Sequence, residues 1–187
     1  MTDTLKCISP VDGSTYVERK LATEAEIEAA LARAATAQAG WRATPVARRQ
    51  EILTRAVDAF VADTDAIAEE LSWQMGRPVA QTPGEVRGFE ERARYMIAAA
   101  PRALADLEAE PKAGFRRYIK RDPLGVVAVV APWNYPYLTS VNAVVPALMA
   151  GNAVILKHSS QTPLCAERYG AIMEAAGLPA GVFQSLH

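Results

Sequence analysis

An α/β fold, helical in its N-terminal part and closing in a parallel sheet, is predicted by three observations on the 187-residue chain. Before residue 105, apolar residues recur at helical spacing in four stretches, each with a recognisable start or stop. Val126 to Val130 is β-branched except at Ala128, and Ala153 to Leu156 is a second short apolar run. Such runs suit parallel strands buried on both faces. Between them, Pro136 to Ala150 is apolar nearly all round, as a crossover helix buried between layers should be.

Residues 5 to 21 read as a hairpin, with Pro10-Val11-Asp12-Gly13-Ser14 supplying turn chemistry between two mixed strands. Thr23 and Glu26 form a capping box, in which the hydroxyl accepts from the third helical amide and the carboxylate reaches back to the cap. The helix it opens should bury Ile27, Leu31 and Ala34 and fray near Gly40-Trp41. Pro45 opens a second helix with Leu53, Val57, Phe60 and Val61 inward, and the polar stretch Ala62 to Asp65 ends it. Ile67, Leu71 and Met75 mark a third, stopped by Gly76-Arg77-Pro78. Thr82-Pro83-Gly84-Glu85 reads as a second capping box, launching a helix that buries Val86, Phe89, Ala93, Met96 and Ile97 and ends around Pro101 or runs on into Arg102-Ala103-Leu104. Pro111 to Arg121 interleaves Phe115, Tyr118 and Ile119 with basic residues, the pattern of an exposed ribbon. Pro146 is expected to break the crossover helix in two, and Gly151-Asn152 to end it. Pro163 then starts a helix to Ala176, and Gly181 to Leu186 begins a third strand. With three strands, the first is left as an open apolar edge.

Composition excludes several function classes. Half the residues are hydrophobic, so a sizeable core is possible, and 20 basic against 21 acidic residues leave no electrostatic footprint for nucleic acid or an anionic membrane. No apolar run approaches the ~20 residues of a membrane span, and the N-terminus lacks a secretory core, so a cytoplasmic location is expected. Cys7 and Cys165 read as ordinary buried thiols, and with only two histidines no metal site is expected. Neither Gly-x-x-x-x-Gly-Lys nor Gly-x-Gly-x-x-Gly occurs, so a nucleotide site must rest on other residues.

In open α/β sheets, ligands sit at the carboxyl ends of strands. There the first strand delivers Pro132, Trp133 and Asn134, and the second delivers Lys157, Ser159 and Ser160. Pro132-Trp133-Asn134-Tyr135-Pro136, then PALMAGNAVILK from Pro146 to Lys157, Gln161-Thr162-Pro163, and Gly177 to Val182 resemble, in that order, the N-terminal part of an aldehyde dehydrogenase. The resemblance implies N-terminal helices plus the first half of a Rossmann-like NAD(P)-binding sheet, truncated relative to complete members of the family. The expected divisions are a hairpin and helices over 1–110, an oligomerisation ribbon over 111–123, the half-sheet over 124–187, and no catalytic domain. It also implies oxidation of an aldehyde to a carboxylic acid with NAD or NADP, and a homo-oligomer in the complete protein.

By the same resemblance, Asn134 stabilises the oxyanion formed when a cysteine thiolate attacks the aldehyde. Lys157 hydrogen-bonds the adenosine ribose, and Val130, Ala131, Pro132 and Trp133 line the cofactor cleft. Ser160 departs from the glutamate of many NAD-preferring members. A hydroxyl there lacks the charge that repels a 2'-phosphate, so NADP should be tolerated or preferred. The family's nucleophilic cysteine and general-base glutamate motifs do not occur in this chain, which is therefore expected to be inactive alone. The alternative is a stand-alone, non-catalytic protein that binds a nucleotide or a partner through its open edge.

Overall fold

In the computed structural model, which describes residues 3–187, the hairpin is strands β1 (Thr4–Ile8) and β2 (Thr15–Lys20), paired antiparallel. Helices α1 (Glu24–Ala43), α2 (Val46–Ala62), α3 (Thr64–Met75) and α4 (Thr82–Ala103) follow. A two-residue pairing, β3 (Leu107–Glu108) with β4 (Tyr118–Ile119), forms the predicted exposed ribbon. The C-terminal part alternates β5 (Val126–Ala131), α5 (Pro136–Met149), β6 (Ala153–His158), α6 (Leu164–Ala175) and β7 (Phe183–Leu186). Its strands form one parallel sheet in the order β5-β6-β7. The predicted open edge therefore belongs to β5.

The two sheet faces are covered differently. Val129, Ala131, Val154 and Leu156 point into the main core under α5 and α6, which α2, α3 and α4 cover in turn. Phe60, Phe89, Tyr137 and Tyr169 join these helices, with Phe60 and Phe89 ring centroids 3.9 Å apart. On the opposite face α1 lies on Ala153 and Ile155 through Ala30 and Ala34. Small side chains let the helix approach closely, and Ile27 and Leu31, expected to be buried, are instead each 40% exposed. The helix also runs past Gly40: Trp41 is buried and its indole N–H donates to the Leu148 carbonyl at 2.9 Å.

Three further expectations are corrected. β5 is not buried on both faces, because α1 covers only the start of its outer side; Ala128 is exposed and Val130 is 80% exposed. Pro146 does not split α5, since tertiary burial on most sides outweighs one lost hydrogen bond. α4 runs on past Pro101 to Ala103, the extension the sequence allowed; the carbonyl that Pro101 frees, that of Ile97, accepts from Gln50 Nε2 at 2.8 Å. The second capping box does not form either, because Glu85 is committed elsewhere. The first one does: Thr23 N–H donates to Glu26 at 2.7 Å and Thr23 Oγ1 accepts from Glu26 N–H at 3.2 Å.

The turn after α5 fixes the start of β6. Gly151 stands at φ +88°, and Asn152 Oδ1 accepts from Gly125 N–H at 2.9 Å while its Nδ2 donates to Ala147 O at 3.1 Å. A Cβ at Gly151 would run into the buried Arg49 guanidinium. Gly151→Ala should therefore cost about 2 kcal/mol or more, left-handed strain plus displacement of Arg49, read as a lowered urea midpoint with unchanged slope.

Candidate functional site

Parallel pairing of β5 with β6 sets the site. Val130 stands opposite Lys157 and Ala131 opposite His158, so the strands end level and opposed residues share a face. Val130 and Lys157 lie on the face that α1 leaves bare, and both are exposed; Ala131 points into the core at 4% exposure. Pro132, Trp133, Asn134 and Tyr135 form an exposed turn leading into α5. Ser160 is exposed on the turn from β6 to α6, where Ser159 Oγ accepts from Gln161 N–H at 3.2 Å. Six of the seven predicted residues thus surround the open end of two adjacent strands, and Ala131 supports them from beneath.

Three residues that sequence reasoning passed over hold these turns. Glu85 Oε1 accepts from the backbone N–H groups of Tyr137 at 2.9 Å and Leu138 at 3.3 Å. Arg77 pairs with Glu85 Oε2 through Nη1 and donates from Nη2 to the Asn134 carbonyl. The third is His158, buried between the two turns. Its Nδ1 accepts from Ser159 N–H and from the Thr162 hydroxyl, each at 3.0 Å, leaving Nε2–H to donate to Pro136 O at 3.3 Å. Local patterns gave no warning: Glu85 sits in a capping-box frame, Arg77 in a helix stop, and His158 in strand continuation.

Neither thiol is open to solvent. Cys7 and Cys165 are buried, and burial pushes each up from the ordinary thiol value. Among the described residues no cluster of His, Cys, Asp and Glu could hold a metal ion.

Burial holds His158 down to about 4, so it is neutral at pH 7. Because its folded value lies below the unfolded one, the unfolded chain binds the extra proton between about pH 6.5 and 4. Stability should fall as pH drops through that window, by on the order of 3 kcal/mol from this group. Urea midpoints measured against pH should lose this slope in His158→Gln.

Comparison with known proteins identifies the family. The aldehyde dehydrogenase family model matches residues 1–187. A succinate-semialdehyde dehydrogenase (NADP+) of Mycobacterium tuberculosis is 35% identical over 96% of the chain, which covers 40% of that enzyme. A 3-sulfolactaldehyde dehydrogenase of Pseudomonas putida is 32% identical over 97% of the chain, covering 37% of that enzyme. Among solved structures, an NAD-dependent benzaldehyde dehydrogenase from Corynebacterium glutamicum superposes with a TM-score of 0.91 at 32% identity. That match covers 98% of this chain and 39% of the other. PnpE in complex with nicotinamide adenine dinucleotide gives 0.92, also at 32% identity, covering 98% of this chain and 38% of the other. The chain thus spans about 40% of the length of the relatives it matches, and, with the family model matching residues 1–187, it belongs to the aldehyde dehydrogenase family.

Proposed function

We propose that this chain holds NAD(P)+ and an oxyanion donor for the oxidation of an aldehyde to a carboxylic acid. The observation that carries the reading is the bare patch of sheet where exposed Val130 and Lys157 stand side by side at the strand ends that lead into the Asn134 and Ser160 turns. An apolar surface bordered by an ammonium and a hydroxyl fits a dinucleotide, which presents flat rings and anionic phosphates. Val130, Pro132 and Trp133 would line the cofactor, with Ala131 setting the strand end. Lys157 would donate to the adenosine ribose. Ser160 brings no negative charge against a 2'-phosphate, which favours NADP. NAD(P)+, when bound, supplies a hydride acceptor.

Asn134 would donate its side-chain amide to the oxygen that becomes negative when the aldehyde carbon is attacked, a stabilisation of ~3 kcal/mol for one preorganised donor. The attacking nucleophile is not provided by Cys7 or Cys165, both buried thiols.

The same reading divides the chain into hairpin and helices (1–110), a ribbon for oligomer contacts (111–123) and the half-sheet (124–187). The ribbon's exposed Phe115 and Ile119 support that role. Two free, unpaired cysteines suit a cytoplasmic location, and no helix among the described residues is long and apolar enough to cross a membrane.

Two measurements test this. The isolated chain mixed with an aldehyde and NADP+ should give no sustained formation of reduced nicotinamide; steady turnover would refute the assignment of the nucleophile. In calorimetric titrations, Lys157→Ala should weaken both dinucleotides. Ser160→Glu should weaken NADP+ tenfold or more, about 1.4 kcal/mol, while sparing NAD+. A parent chain that binds NAD+ tenfold better than NADP+ would sink the cofactor preference.

A further inference from the structure

We infer that Glu85 and Arg77 are positioning residues for Asn134, an inference that rests on reading Asn134 as the oxyanion donor. Helix α5 starts without a cap of its own: Tyr135 at the cap position makes no side-chain hydrogen bond, and Pro136 has no N–H to give. The next two amides, Tyr137 and Leu138, both donate to Glu85, which arrives from α4 and performs the task usually left to a neighbouring Ser, Thr or Asp. The Glu85 side chain is 1% exposed, so its charge must be met inside the protein.

Arg77 meets it and does more. One arm of the guanidinium pairs with Glu85, the other donates to the Asn134 carbonyl, and the plane covers the Tyr135 ring at 4.5 Å from its centroid. Asn134 is therefore fixed at its own carbonyl, at the ring that follows it, and at the helix amides just beyond. A planar fork makes the first two contacts from separate nitrogens while its face covers the ring; a lysine ammonium offers no such plane. The α5 amides call for an acceptor, but stability alone does not call for an ion pair here, since apolar residues commonly replace a buried pair without loss. Placement does, because a donor misplaced by about 1 Å costs on the order of a hundredfold in rate.

The test needs no aldehyde and no cofactor. Backbone order parameters of Asn134 and Tyr135, and exchange rates of the Tyr137 and Leu138 amides, are measured by NMR on the ¹⁵N-labelled chain. In Arg77→Ala the order parameters should fall from the rigid range, about 0.85, to below about 0.6, while the Tyr137 and Leu138 amides stay protected. Should that variant fail to fold, the double replacement Arg77→Met with Glu85→Leu removes the pair without leaving a buried charge. It should still unfold in one cooperative step, with a midpoint lowered by no more than the cost of the unmet Tyr137 and Leu138 amides, lose order at Asn134 and Tyr135, and exchange Tyr137 and Leu138 tenfold faster or more. A folded double variant with Asn134 as ordered as before would overturn the inference. Because the readout is order alone, a later finding that Asn134 is dispensable for chemistry would overturn the oxyanion reading and leave this measurement standing.

Discussion

Burying the first turn of α5 withdraws amide N–H groups from water, and an unmet buried donor costs on the order of 1–3 kcal/mol. The chain meets that constraint with a carboxylate from another helix, and the rest of the region follows. Glu85 requires a cation, Arg77 provides one, and Arg77 in turn ties down the turn after β5. His158 secures the same place from the other side, reaching Pro136 O from the end of β6. The two strand ends that form the candidate site are thus coupled through buried polar contacts rather than through the sheet alone.

Packing explains why the site lies open. The α5–α6 face of the sheet is covered by helices two layers deep, whereas α1 covers the other face only as far as Ile155. The uncovered remainder holds Val130 and Lys157. One helix that stops short leaves apolar sheet exposed, the kind of surface that folded proteins keep for a ligand or a neighbour.

Much of the fold was legible in the sequence because its signals are local. Thr23 and Glu26 read as a cap and are one; Gly76 reads as a stop and takes a left-handed φ of 74°. The βαβ alternation and the open first strand came from run lengths and order. What failed depended on partners far along the chain. Thr82 and Glu85 obey the capping-box pattern, but Glu85 has a better use at α5, and nothing within four residues of it says so. Ile27 and Leu31 look like a buried stripe, yet the sheet wanted the alanines beside them. The candidate site residues were proposed through the resemblance of their motifs, while the groups that hold their turns, Arg77, Glu85 and His158, answer to tertiary contacts that no short pattern encodes.

The cap on α5 also bears on how the chain folds. Glu85 and Tyr137 are 52 residues apart, and closing a flexible loop of that length costs roughly 3–4 kcal/mol of entropy. A nascent α5 cannot borrow that cap until α4 has docked beside it. The conformation around Asn134 is therefore acquired late, with the long-range contacts, and a chain that has formed its helices but not yet packed them carries the motif without its geometry.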